Sequence, residues 1–251
     1  MTDPYAFSFE PLFLVLGAAA LVVYLRARPS PWWRVALFCV GLALVVVPVN
    51  SPLETIATER LLLIHLLQNV MLSDWAPPLL ILGLTPAMRG AVARAGGRPF
   101  AALTRPVVSL PVWLVGWYGI HWGVFYDFAL RHHAALNLEH LILVGIGLLF
   151  WWPVLADEPR RLATPVKIAY LGAAFVASAF LGLAFIFSTS PFYAFYERAP
   201  RLWGLSPAKD QNLGGILMNG EQTAVFLAAL AYFLWRLLEE EHETGSAGAP
   251  Q

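Results

Sequence analysis

The chain has 251 residues, of which 59% are hydrophobic and 13% charged, and its mean hydropathy is +0.64. A water-soluble domain of this size does not carry so apolar a composition, and a bilayer is the natural solvent. Its 16 basic and 16 acidic residues cancel, which leaves no cationic excess for phosphate and excludes a nucleic-acid partner, while the single Cys39 precludes an internal disulfide or a CxxC site.

A spanning helix needs roughly 20 mostly apolar residues. Seven segments meet that requirement, 10–26, 33–49, 61–84, 105–125, 138–156, 166–189 and 213–237, so the expected fold is all-α, a polytopic membrane protein with seven transmembrane helices. The first segment has no Lys or Arg before it, unlike a secretory leader, and is expected to persist as a helix. The third places His65, Gln68, Asn69 and Ser73 at i, i+3, i+4 and i+8 with Asp74 beside them, one polar helical face that is too costly to turn toward lipid. Pro77 and Pro78 follow and predict a kink or break. The connection from Thr85 to Thr104 is rich in Arg and Gly and reads as a loop, as does the aromatic, Pro-containing stretch from Ser190 to Asn212. His121 lies near the end of the fourth segment, Asp127, His132 and His133 fall in the loop after it, and Glu139 and His140 open the fifth. Asp210 and Gln211 precede the seventh, where the Gly214-Gly215 pair permits close helix approach and Met218 follows. Residues 1–238 read as one transmembrane domain and 239–251, opening on three glutamates, as a disordered acidic tail.

Basic residues favour the cytoplasmic side of short loops. Arg26, Arg28 and Arg34, then Arg89, Arg94, Arg98 and Arg105, then Arg160, Arg161 and Lys167 mark alternate loops as internal, which puts the N-terminus outside and the C-terminus in the cytoplasm. The loop with Arg198, Arg201 and Lys209 goes against the rule, and alternation alone places it outside. In this topology His65, His121, His132, His133 and His140 gather at the outer face and only His242 lies inside. Imidazole is the commonest biological metal ligand, so His65, His121, His132 and His140 are candidate ligands, with Met218 a candidate soft ligand for Cu(I). Gln68, Asn69, Asp127, Glu139, Asp210 and Gln211 are candidate supporting polar groups, Glu139 as the group that orients an imidazole. The bland alternatives are interfacial histidines bonded to water or backbone, polar residues that glue helices, and a methionine that packs.

In order along the chain, Ser51-Pro52-Leu53, His65-Leu66-Leu67-Gln68, Ala76-Pro77-Pro78-Leu79-Leu80, His121 five residues before Tyr126-Asp127, Ala129-Leu130-Arg131-His132, Glu139-His140-Leu141, Phe150-Trp151-Trp152-Pro153 and Asp210-Gln211 before Gly214-Gly215 resemble the CtaG family of seven-span proteins. That resemblance implies a membrane assembly factor for haem-copper cytochrome c oxidase in the bacterial inner membrane, not an enzyme. It also implies copper bound or delivered by the outer histidines, and oxidase subunits or other assembly factors as partners besides the lipid bilayer. The chain departs from the family pattern at Asn69 and Leu136, where the family usually has histidine, and at Asn219, where tryptophan is common. Two rivals stand beside it. A haem-binding electron carrier would use two of His65, His121 and His140 as axial ligands, and a small-solute or metal transporter would use the polar face of the third segment and Glu221. Retinal binding is excluded, because Lys167 and Lys209 both sit in or beside loops.

Overall fold

The computed structural model describes residues 3–247, and within them the ordered elements are helices. Proline opens many of them, at Pro11 of α1 (Pro11–Arg26), Pro52 of α3 (Pro52–Glu59), Pro86 of α6 (Pro86–Leu103) and Pro106 of α7 (Pro106–Ile120). Its fixed φ is ready for a helix, and its missing N–H would have had no partner in the first turn. Side chains cap two of these starts as well. Ser51 accepts from the Leu53 amide ahead of α3, and Thr85 accepts from the Met88 amide ahead of α6.

The predicted spans correspond closely to helices. α1 and α2 (Trp32–Val49) match the first two, and α7 with α8 (Gly123–Ala129) matches the fourth, bent by 67° between the two. α9 (His133–Leu155), α10 (Thr164–Phe187) and α12 (Pro207–Ala247) match the last three, with the short α11 (Ala194–Arg198) before α12. By length and composition, four helices of the described residues can each cross a membrane, and the count rises to six if each of two bent pairs is one span; α1, at 16 residues, is shorter.

The third span is a composite of α4 (Leu62–Val70), one π-helical turn over Met71–Trp75 and α5 (Ala76–Gly83). The expected disruption therefore sits just before the two prolines, because Pro77 and Pro78 lie in the first turn of α5, where an amide is dispensable. The Ala76 amide reaches back five residues to the Met71 carbonyl, the π register. The Ser73 carbonyl has Pro77 and Pro78 at four and five residues on, so neither the α nor the π pattern can supply it with an N–H. Gly147 of α9 packs directly against that carbonyl: a Cβ there would lie 2.3 Å from the Ser73 oxygen and 2.7 Å from Pro77 Cγ. At the other end of the span, Arg34 donates to the Leu82 and Leu84 carbonyls and the Tyr24 hydroxyl donates to Gly83. Orphan acceptors at a helix C-terminus are thus met by a cation and a phenol.

Two expectations need correction. The stretch read as a loop from Thr85 to Thr104 is largely helix α6, kinked at Gly97 (φ 54°) and turned 109° from the third span. Its Ala and Arg content favours helix even without an apolar stripe. The tail expected to be disordered from residue 239 is helical through Ala247, with Glu239 bonded to Arg236 at 3.1 Å and Glu240 to Thr164 at 2.9 Å; residues 248–251 of that expectation lie outside the described residues.

Besides a smaller cluster of Ile56, Ala57, Leu61 and Ile64, the core has two large apolar tiers. One gathers Trp113, Phe150, Trp151, Tyr170 and Phe226, and the other Leu66, Trp117, Tyr126, Phe185, Tyr193 and Met218. Replacing Gly147 by Ala forces the Cβ into the Ser73 carbonyl and is expected to destabilise the protein by about 1–3 kcal/mol, as overpacking does. Thermal unfolding in detergent should show that loss, whereas Gly172→Ala, inside α10 with open space for a Cβ, should keep or slightly raise the midpoint, as alanine is the better helix former.

Candidate functional site

The second tier carries polar groups at its outer edge, where the N-terminal ends of α4, α9 and α12 meet the C-terminal end of α7. Asp210, in the first turn of α12, sends its carboxylate across to α4 and accepts from the Leu62 amide at 2.9 Å and the Leu63 amide at 3.0 Å. The start of α4 is thus capped by a residue 148 positions away, which fixes the height and direction of the helix that bears His65. Gln211 accepts from the Phe192 amide and donates to the Ser190 carbonyl, and Asp127 accepts from the Ala194 and Phe195 amides at the start of α11. Asp127, Asp210 and Gln211, expected as supporting polar groups, therefore act as clamps on backbone.

His65 is fully buried. Its Nδ1 lies 2.9 Å from the Tyr196 hydroxyl, which donates in turn to the Ala57 carbonyl. A carbonyl can only accept, so the phenolic proton is committed to Ala57 and the phenolic oxygen accepts from His65 Nδ1–H. Nε2 of His65 then carries a lone pair, and it faces Glu139 Oε1 at 3.5 Å. The same reasoning fixes His121: Nδ1 donates to the Trp117 carbonyl at 2.7 Å, and Nε2 is left to accept from Asn69 Nδ2 at 3.4 Å. His140 is fully buried too, its ring centroid 6.0 Å from that of His65 and 5.9 Å from Phe13 of α1. Tyr126 lies between, 4.9 Å from the His65 ring and 5.8 Å from His121.

What remains unpaired defines the chemistry. Among the described residues, His65 Nε2, both carboxyl oxygens of Glu139 and both ring nitrogens of His140 are buried without a hydrogen-bond partner. A carboxylate opposite an imidazole lone pair is repulsive, and an uncompensated buried charge costs several kcal/mol. The arrangement is therefore one that takes up a positive charge, a proton or a metal ion, between Glu139 and His65.

A second polar layer lies beside the first. Gln68 donates to the Pro48 carbonyl and, at 2.9 Å, to Glu54 of α3. Burial pushes the Glu54 carboxyl up to about 8, with the Gln68 hydrogen bond opposing the shift and the charge of Glu10 adding to it. Deeper in the bundle, Asp74 in the π turn accepts from Gln222 of α12 at 3.0 Å.

Of the five expected metal ligands, the structure brings His65 and His140 together and sets His121 beside them through Asn69 and Tyr126. His132 does not join them: it is exposed, stacked on Phe128 at 4.0 Å, with Nδ1 on the Phe128 carbonyl. Met218 is buried in the apolar tier. Among the described residues no three His, Cys, Asp or Glu side chains converge closely enough to hold a metal ion. Tyr126 and Tyr196 escaped the sequence reading as parts of the site, since a tyrosine in an apolar chain signals an interface as readily as a buried hydroxyl.

The sequence pattern that defines the cytochrome c oxidase caa3 assembly factors matches this chain over residues 11–240. The chain belongs to that family. Curated relatives of this chain include uncharacterised proteins of Mycobacterium bovis and Mycobacterium tuberculosis, each 27% identical over 224 residues, or 80% of this chain and 34% of the relative. A third, from Mycobacterium leprae, is 25% identical over 228 residues, 81% of this chain and 34% of the relative. The chain thus spans about one third of the length of the curated relatives it matches. No solved structure matches it significantly. The three residues that the sequence reading singled out as departures have defined places in the structure: Asn69 donates to His121, Leu136 is buried, and Asn219 donates to the Ala179 carbonyl against Gly182.

Removing the trans-helix cap by Asp210→Ala leaves two amides without an acceptor and is expected to cost about 1–2 kcal/mol, read as a lower unfolding midpoint in detergent. The raised carboxyl of Glu54 gives stability a pH dependence of definite sign. Between about 4.5 and about 8 the unfolded chain loses this proton while the native protein keeps it, so stability falls as pH rises through that window. Glu54→Gln should flatten the fall in a series of melts across the same range.

Proposed function

We propose that this protein is an inner-membrane assembly factor that receives copper for a haem-copper oxidase at the buried group of His65, Glu139 and His140. In this reading α1 also crosses the membrane and brings the count of spans to seven, the N-terminus lies outside, and the site sits near the outer face. The observation that carries it is the His65 Nε2 lone pair facing a Glu139 oxygen at 3.5 Å, both without a hydrogen-bond partner. That separation suits two donors to one ion, given typical metal–nitrogen and metal–oxygen distances of about 2 Å each. Imidazole suits copper, and the carboxylate would neutralise its charge in a site that excludes water. His140 supplies a further ring with both nitrogens uncommitted, and a rotation of that side chain is what a third bond would require.

The remaining residues hold this set in place. Tyr196 keeps the His65 proton on Nδ1 and so presents Nε2, as ring-nitrogen partners do in metal sites. Asn69 engages Nε2 of His121, which leaves that histidine a supporting role. His132 and Met218 have no part in it. Oxidase subunits or other assembly factors would exchange ligands with the site by contact from the outer side.

Anaerobic titration of the detergent-purified chain with Cu(I) against a chromogenic chelator tests this. Stoichiometric copper is expected, abolished in His65→Ala and His140→Ala, retained in His132→Ala and weakened about tenfold in Glu139→Gln. Equal binding by wild type and the His65 and His140 variants, or none by wild type, would assign a proton to the Glu139–His65 pair and sink the copper reading.

A further inference from the structure

At the end of the bundle opposite the histidines, a cavity of about 600 Å³ opens between α5, α9, α10 and α12. Its floor is apolar, formed by Trp151, Val154, Val225 and Phe233, and continues toward Pro78 and Leu82 of α5. Its rim carries Arg89, Arg161, Lys167 and Arg236 from four separate stretches of chain, with Asp157 and Glu240 among them; Asp157 lies 3.9 Å from Arg161, and Glu239 lies 3.1 Å from Arg236.

We propose that this cavity binds an anionic phospholipid, its phosphate held by the cationic rim and an acyl chain lying on the apolar floor. The rim cations are positioned rather than scattered. One guanidinium nitrogen of Arg89 donates to the Leu155 carbonyl at 2.9 Å, and the Lys167 ammonium sits 5.1 Å above the Phe233 ring, an attraction that holds it over the cavity. Lys167 also lies within electrostatic reach of both Arg161 and Arg89 as well as of Asp157 and Glu240. Like charges crowded at the edge of a low-dielectric floor gain from a shared anion, and basic pockets between helices at a membrane surface take anionic headgroups in this way. The topology rule accounts for basic residues in the loops of one side, but not for their convergence on one apolar cleft. The floor decides between the two sources of phosphate, since an inorganic anion would leave the half-buried Leu82, Leu155, Val225 and Ala229 uncovered.

Native mass spectrometry of the full chain, delipidated in detergent and then supplied with either dioleoyl phosphatidylglycerol or dioleoyl phosphatidylcholine, reads this directly. Retention of phosphatidylglycerol over phosphatidylcholine is expected, falling about fivefold for each basic residue removed in the series Arg161→Gln, Lys167→Gln and Arg236→Gln. Asp157→Asn, at an exposed position, should raise retention, which separates a charge effect from loss of fold. Equal retention of the two lipids, or displacement of phosphatidylglycerol by millimolar inorganic phosphate, would overturn the proposal. So would an unchanged preference in the basic-residue variants. Each readout is independent of copper and of the histidine site.

Discussion

The carboxylate of Asp210 is the interaction on which the arrangement of the histidine-bearing end depends. α4 begins after a sharp break at Leu61, and no residue near it in sequence supplies an acceptor for its first amides. In a bilayer, water is not there to serve instead. By accepting from both Leu62 and Leu63, Asp210 ties the starts of α4 and α12 together and sets the rotation of α4 about its axis. That rotation points His65 at Glu139, Asn69 at His121 and Gln68 at Glu54. Met218, two turns along α12, then packs against the apolar side of the same group. One carboxylate converts a polar stripe on a helix into a set of specified pairs.

The π turn has the complementary effect one layer deeper. An ordinary helix would carry Ser73 and Asp74 onward in the register begun by His65. The extra residue per turn over Met71–Trp75 shifts that register, so Asp74 meets Gln222 of α12 while Ser73 turns its carbonyl to α9. Two prolines deny that carbonyl any acceptor role within its own helix, and a glycine on α9 allows the closest approach of the backbone that faces it. A Cα–H of glycine is a weak donor to a carbonyl, and it is the group a packed apolar helix can bring that close. The prolines, the π turn and Gly147 are thus one local solution to one unsatisfied oxygen.

The helices were legible in the sequence because hydropathy and the 3.6-residue period report directly on exposure to lipid, and six of the predicted segments lie within a few residues of their helices. The exceptions have physical reasons. α6 has little apolar periodicity, so its helical character rests on Ala and Arg propensity and on the Thr85-Pro86 start, a signal weaker than its Gly and Arg content suggested. α12 extends beyond its apolar part because Glu239 and Glu240 find partners in Arg236 and Thr164, and a tail with tertiary partners need not be disordered. In the site, the polar face of α4 was evident, as was the pairing of Glu139 with His140 in sequence. Their assembly was not, because it depends on which helices are neighbours. His132, at the N-cap of α9 about two turns before Glu139, was indistinguishable from the others by composition, and its ring stacks on Phe128 instead.

The two ends of the molecule place opposite demands on the same helices. α9 begins with Glu139 and His140, buried and short of positive charge, and ends at Trp151 and Val154, the floor of a cavity ringed by four cations. α12 begins with the Asp210 clamp and ends beside Arg236 and Glu240. Between them the tier of Trp113, Phe150 and Phe226 is apolar and buried, and among the described residues Gln222 reaches across it from α12 to donate to Asp74 in the π turn. The polar group of His65 and Glu139 and the cavity with the basic rim are thus set apart along the same helices by buried apolar packing, so that a change of charge at one end meets the other only through the helices they share.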